Sequence, residues 1–224
     1  MIARSNAGVI SVTFIGQAIK NMYHTGSVWP SSRALGRAMS RSFRSASTPR
    51  RILEVGPGNG PFTRVILESL DAGDEYHLAE INEEFCRELE SKLLGPYRST
   101  HQDRTVELHQ GPVEELDIDR KFGFIVCGLP FNNFPPKIAR GIFRQLLELL
   151  DDDGELAYFE YAAVRNMRAP FVGSEGRKKI RRIDAHGKSL RRKFESEREL
   201  VLANIPPAYA IRLRAHDSTT APSS

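Results

Sequence analysis

Cysteine is scarce in this chain of 224 residues, with two copies, Cys86 and Cys127. That excludes a disulfide-stapled scaffold. One falls in a predicted helix and one in a predicted strand, so both are expected as reduced core residues of a cytosolic protein. No Cys/His cluster has metal-ligand spacing, and no metal is expected. No run of eighteen apolar residues exists, so no membrane-spanning helix is expected. The N-terminus lacks a compact apolar core with a cleavage site, which predicts no secretion signal. Acid is also missing from residues 1–49, which carry six Lys/Arg. Residues 50–160 reverse this, with twelve Lys/Arg against twenty-two acids, and residues 161–224 carry fourteen against six. An acidic body flanked by two basic segments points to a polyanionic partner, an anionic membrane or nucleic acid.

The stretch from Arg51 to Thr63 organises the rest. Ile52 to Val55 is a short apolar run suited to a buried parallel strand. Gly56, Gly58 and Gly60 follow at alternate positions, and a helical run starts near Pro61. Strand, glycine turn and helix form a nucleotide-binding crossover, where glycine lets the backbone approach a ligand. The spacing is Gly-x-Gly-x-Gly, not the Gly-x-Gly-x-x-Gly of a dinucleotide site. Glu54 before the first glycine suits an amine-bearing ligand better than a pyrophosphate. These features resemble motif I of the class I S-adenosylmethionine (SAM) methyltransferases. Glu80 ends a second predicted strand, 75–80, twenty positions after Gly60. An acid there can accept both hydroxyls of a ribose. Ile81 beside it can pack on an adenine.

Further crossovers are predicted along the chain. Helices are expected over 61–70, over 82–94 ending at Gly95-Pro96, and over 136–150 closing at Asp151-Asp152-Asp153-Gly154. Strands are expected over 106–109, 122–127 and 155–161, with 199–204 and 209–213 as a closing hairpin. Ala162 to Lys193 is polar and basic, a predicted lid or insertion. Residues 217–224 are expected as a frayed tail.

Ahead of the domain, 12–23 has helical apolar spacing, and a second helix is predicted near Pro30. Its apolar stripe is Ala34, Leu35, Ala38, Met39 and Phe43. Arg33, Arg37, Arg41 and Arg44 form a second stripe. With Trp29, this pair suits either an interfacial helix or a cap packed on the domain. The expected organisation is a cap and membrane-docking segment 1–49, a domain 50–216 and a tail.

The loop after strand four, Gly128-Leu129-Pro130-Phe131, resembles the Asn-Leu-Pro-Phe/Tyr motif of enzymes that methylate the adenine amine. Here Gly128 replaces the side-chain acceptor. Together with Trp29-Pro30-Ser31-Ser32-Arg33-Ala34-Leu35, Glu54 to Gly60, Asn132-Asn133-Phe134-Pro135 and Asn204 to Ala208, it resembles the bacterial phospholipid N-methyltransferases. That family is similar to ribosomal RNA adenine dimethyltransferases. The resemblance implies an α/β class I fold, a Rossmann-like doubly wound seven-stranded sheet with strand 7 antiparallel and an N-terminal helical extension. It implies methylation of phosphatidylethanolamine and its methylated forms towards phosphatidylcholine, with SAM converted to S-adenosylhomocysteine, at the inner face of the cell membrane. Glu54, Gly56, Gly58, Gly60, Glu80, Ile81 and Val113, with Ser31 and Ser32, are the implied cofactor residues. Gly128, Leu129, Phe131, Tyr161 and His186 are the implied catalytic residues, with Phe131 and Tyr161 offering ring faces to a cationic head group. Trp29, Arg33, Arg37, Arg41, Arg44, Arg177 and Arg182 are implied at the lipid and membrane. Phe134 and Tyr158 are expected in the core. Two other readings stay open: an RNA adenine methyltransferase, against which Gly128 argues, and a membrane-bound SAM-binding protein without catalysis.

Overall fold

The computed structural model describes residues 31–116, 119–131, 134–162 and 194–214. The predicted helix over 12–23, the basic segment beyond Ala162, the tail, and Trp29, Asn132, Asn133, Arg177, Arg182 and His186 lie outside them.

The described chain opens with α1 (Arg33–Met39) and α2 (Arg41–Arg44). The start predicted near Pro30 moves to Arg33 because Ser32 is the N-cap, its hydroxyl accepting the Leu35 N–H at 3.2 Å. Ser40 divides the two helices, and its N–H and hydroxyl both donate to the Gly36 carbonyl. Next come β1 (Arg51–Val55), α3 (Pro61–Leu67), β2 (Glu75–Glu80) and α4 (Glu83–Leu89). The helix predicted to stop at Gly95-Pro96 does not stop. A π-turn, Glu90–Leu94, carries it into α5 (Gly95–Thr100). Wider π bonding, with Gly95 N–H donating to the Glu90 carbonyl, removes the clash a proline makes with the carbonyl four residues back.

β3 (Thr105–Gln110), a 3₁₀ turn at Val113–Glu115, β4 (Phe122–Cys127) and α6 (Pro136–Leu149) follow. β5 (Leu150–Tyr161), β6 (Glu195–Val201) and β7 (Ala208–Arg214) complete the sheet. Asp151 to Gly154 do not simply close the helix: Leu150 pairs with Phe122, and Glu155 resumes the register opposite Phe124. The four residues between form an irregularity within the strand. Strand six lies four residues earlier than predicted, and Leu202 to Asn204 belong to the turn after it.

The sheet order is β3-β2-β1-β4-β5-β7-β6, with β7 antiparallel to both neighbours and the first five strands parallel. Successive side chains point to opposite faces, which divides the core into two layers. Leu53, Val55, Ile125, Cys127, Leu156 and Tyr158 pack under α6. Ile52, Tyr76, Leu78, Val126, Ala157 and Phe159 pack under α1 to α3. The apolar stripe of α1 and α2 is spent here: Leu35, Ala38, Met39 and Phe43 are all buried. Of the two readings of this helix pair, the burial of the stripe fits the cap packed on the domain. The basic stripe stays outside, with Arg33 paired to Glu68 and Arg41 to Glu199 at 2.7 Å.

One buried cation clamps this layer. Arg50 donates to both Asp74 carboxylate oxygens, to the Phe43 carbonyl at 2.7 Å and to the Ser69 carbonyl at 2.9 Å. It thus joins α2, the end of α3 and the start of β2. Removing one partner of a buried pair leaves the other uncompensated, at roughly 3–5 kcal/mol. Asp74→Ala is therefore expected to lower the unfolding free energy from denaturant titration by that much, and a loss under about 1 kcal/mol would contradict the clamp. Burial pushes the Asp74 carboxyl up, but the bonds from Arg50 and the Asp71 N–H overcome this and hold it below its usual value. This stabilisation is complete at neutral pH and is lost as pH falls through the lowered value.

Candidate functional site

β1 and β4 are adjacent, and the chain crosses to opposite sides of β1 at this point, so a crevice opens at their carboxyl ends. Gly56, Gly58 and Gly60 all adopt positive φ, at 68°, 57° and 82°. A methyl on Gly60 would stand 2.6 Å from Leu93 Cδ1, so packing also demands glycine there. A methyl on Gly58 would meet nothing within 4 Å. The middle of the turn therefore faces open space, the approach a ligand needs.

Two acids sit beside the turn. Glu80 is buried at the end of β2, its Oε2 accepting the Gly58 N–H and its Oε1 the Asn82 N–H, both at 2.9 Å. A carboxylate has about four acceptor positions, so room remains for a hydroxyl donor. Burial raises the Glu80 carboxyl above its ordinary value, against the pull of these N–H groups.

Glu54 is fully buried on the α3 side of β1. Its Oε2 accepts the Thr63 hydroxyl at 2.8 Å and the Tyr76 hydroxyl, while Oε1 has no protein partner. Burial pushes this carboxyl up to about 7, despite the bonds from Tyr76 and Thr63. An unpaired buried acid oxygen next to the turn fits an amine donor.

Glu114 is a residue that the sequence reading passed over. Both its carboxylate oxygens are buried without a protein partner, and burial raises its pKa. It follows Val113, which lies in the α6-side core with Ile81 packed against that layer. The Gly111 N–H donates to the Glu80 carbonyl at 2.8 Å, so this loop leaves directly from the acid of β2. The signal in the sequence is the acid itself, directly after Val113 in the loop that follows β3.

Gly128 ends the first turn after β4, its N–H donating to the Val55 carbonyl at 2.8 Å. A Cβ there would lie 2.5 Å from the Gly56 carbonyl oxygen. Glycine is thus imposed by the close approach of two backbones. Leu129 is buried beside it.

The aromatic cage is not assembled as expected. Phe131 is 3% exposed and stacks on Phe143 with centroids 4.1 Å apart. It belongs to the α6 layer with Phe134 and Tyr158, whereas Tyr161 packs edge-on to Phe159 in the opposite layer. Tyr161 lies three positions after Tyr158 on β5, so alternation places the two on opposite faces. Ser32 is occupied too: its hydroxyl caps α1 and its N–H donates to Asn204 Oδ1 at 2.8 Å, with Ser31 half-buried beside it. Arg33, Arg37, Arg41 and Arg44 remain exposed on the outer side of α1 and α2.

Cys86 and Cys127 are buried free thiols, pushed up by burial to about 11 and about 12, so neither is a ready nucleophile. The fold also gathers a trio that spacing alone did not reveal. His77, Glu107 and His109 bring ligand atoms within 4.8 Å of one another on β2 and β3, with His77 Nδ1 to His109 Nε2 at 3.0 Å.

Two outcomes test this geometry. Gly128→Asn is expected to lower both the melting temperature and cofactor affinity, because the Gly56 turn must move. Unchanged values by scanning calorimetry and titration would contradict the steric account. Glu54 keeps its proton to about 7 when folded, against 4.5 for an unperturbed glutamate. Folding stability therefore falls as pH rises between those values, by roughly 3 kcal/mol in all. Glu54→Gln should abolish that decline, and parallel stability curves for the two proteins from pH 4.5 to 8 would refute it.

No family model matches the chain. Over 146 residues it is 28% identical to the ornithine lipid N-methyltransferase of Singulisphaera acidiphila, covering 63% of this chain and 72% of that one. Among solved structures, the O-methyltransferase from Bacillus cereus, in complex with SAH, superposes at a TM-score of 0.58 with 13% identity, covering 96% of this chain and 93% of that one. The N-methyltransferase NodS from Bradyrhizobium japonicum, in complex with S-adenosyl-L-homocysteine, gives 0.55 with 12% identity, covering 82% and 84%. Strand order, the antiparallel seventh strand and these superpositions agree: the chain has the fold of the class I SAM-dependent methyltransferases.

Proposed function

We propose that this chain is a SAM-dependent N-methyltransferase acting on the amine head group of a membrane lipid, namely phosphatidylethanolamine and its mono- and dimethylated forms. The observation that carries the reading is Gly128. Its Cβ position is filled by the Gly56 carbonyl at 2.5 Å, so the corner cannot carry the side-chain acceptor that holds a planar adenine amine. Main-chain carbonyls at Gly128 and Leu129 are left to orient the amine. An aliphatic amine rotates to meet them, whereas an adenine amine is fixed in its ring plane. The lipid N-methyltransferase relative supports the same substrate class.

The donor set fits SAM. Glu80 has lone pairs for the ribose hydroxyls. Glu114, with two unpartnered oxygens beside Val113, suits the adenine amine, and Ile81 and Val113 supply apolar walls. Glu54 Oε1 suits the methionine ammonium. Bound SAM supplies an electrophilic methyl on a sulfonium. The protein's part is to hold a neutral amine in line with it, which is mainly positioning. The ammonium must first lose its proton, and solvent is the acceptor proposed. The exposed arginines of α1 and α2 suit the lipid phosphate.

Glu80→Ala is expected to weaken SAM binding at least about a hundredfold while the fold survives, since two or more bonds to a charged acceptor are lost at roughly 1.5–3 kcal/mol each. Unchanged affinity by calorimetry would sink the cofactor assignment. The substrate is read by mass spectrometry of lipids from a host that makes no phosphatidylcholine. Methylated ethanolamine lipids are expected on expression of the chain. Methylated ornithine lipid instead would move the substrate within the amine lipids. Methyl groups on ribosomal adenines alone would replace the lipid reading with the RNA one.

A further inference from the structure

Among the described residues, three large apolar side chains stand out from the surface, and all three fall at one place. Leu200 is 45% exposed, Leu202 71% and Ile205 77%. They occupy the end of β6 and the turn into β7. The sheet fixes where that turn points. β7 is antiparallel to β5 and to β6, so β6 runs parallel to β5. Its turn therefore opens on the edge where β1, β4 and β5 end. Tyr161 pairs with Ala208, Ala208 pairs with Val201, and the Ala162 N–H donates to the Pro207 carbonyl at 2.7 Å. With strands about 4.8 Å apart, β7 stands roughly 10 Å from β4. The apolar turn borders the mouth of the site.

The turn is built and not merely loose. Asn204 is wholly buried, its amide nitrogen donating to the Pro206 carbonyl at 2.7 Å and its oxygen accepting the Ser32 N–H at 2.8 Å. Val201 and Ala208 on either side point into the core. Leu202 and Ile205 are thus held outward from a fixed base. The Ser32 bond brings the start of α1 to the same place, and the exposed Arg33 and Arg37 follow from there. Arg41 reaches back to Glu199, next to Leu200. Arg37, Arg41, Arg44 and Ser45 line an open recess of about 440 Å³. An apolar tip beside a row of guanidinium groups matches one kind of partner, a surface with acyl chains under anionic head groups.

We propose that the β6–β7 turn inserts Leu202 and Ile205 into the interfacial zone of an anionic phospholipid bilayer, seating the open edge of the site against the layer that holds its substrate. The proposal rests on the lipid reading above. It gives that reading a physical route, since a head group then needs to leave the bilayer by only a short distance.

The test uses the full chain and vesicles of phosphatidylglycerol and phosphatidylethanolamine. The double variant Leu202→Ser with Ile205→Ser should partition at least about tenfold more weakly, since it withdraws two aliphatic side chains from the interface. Methyl transfer to vesicle lipid should fall with it. SAM affinity, and transfer to the same lipid dispersed in detergent, should not change. Vesicle binding within twofold of the unsubstituted protein would overturn the proposal. Leu202→Trp works in the other direction and covers the case of a poorly folded double variant: increased partition upholds the turn, and unchanged partition overturns it. The two ideas fail separately. If the unsubstituted protein methylates no amine lipid even in detergent, the substrate reading is lost, while the partition measurements still decide whether the turn binds a bilayer.

Discussion

Two backbones meeting without a side chain between them set the geometry of this molecule. The Gly56 carbonyl stands where a Cβ on Gly128 would be. The contact lies at the junction of β1 and β4, where the crossovers diverge to opposite sides and a crevice must open. The glycine turn, the acid at the end of β2 and the corner after β4 all take their positions from it. Under the proposed lipid reading, the same contact also sets what a substrate amine meets. A site that cannot admit a side chain offers carbonyl oxygens, which select by reach and rotation more than by plane.

Around this junction the protein tolerates polar groups that a purely structural core would avoid. Glu54 and Glu114 each keep carboxylate oxygens buried and unpartnered. Such groups cost stability unless a donor arrives. In the proposed SAM site that cost is the counterpart of ligand affinity, because a bound amine would recover what folding gave up. Glu54 is partly relieved by Thr63 and Tyr76, which fix its orientation, and by a proton it keeps to about 7. The Arg50–Asp74 clamp is the contrasting case, with charge answered by charge and main-chain oxygens taking up the remaining donors.

The first helices join these two functions. Their apolar stripe completes the core under β5 and β7, which leaves the arginines outside as a surface feature with no insertion face of its own. Exposed apolar side chains lie instead on the turn at Leu202 and Ile205. Asn204 binds the two parts together through the Ser32 N–H.

The sequence by itself determined the alternating scheme of strands and helices, the glycine turn, and Glu80 as its partner acid. These are local signals: runs of apolar residues, turn glycines, and a distance counted along one crossover. It did not determine which faces the side chains would occupy. Phe131 and Tyr161 were near in chemistry, yet the fold put them in opposite layers. The helix through Gly95-Pro96 continued because a π-turn absorbed the proline. The stripe of Leu35, Met39 and Phe43 was legible as amphipathic, but only packing could say that the protein, and not a membrane, covers it. Gly128 was read as a missing acceptor, and the tertiary structure supplied the reason: another strand's backbone, seventy-two residues earlier in the chain, already fills that space.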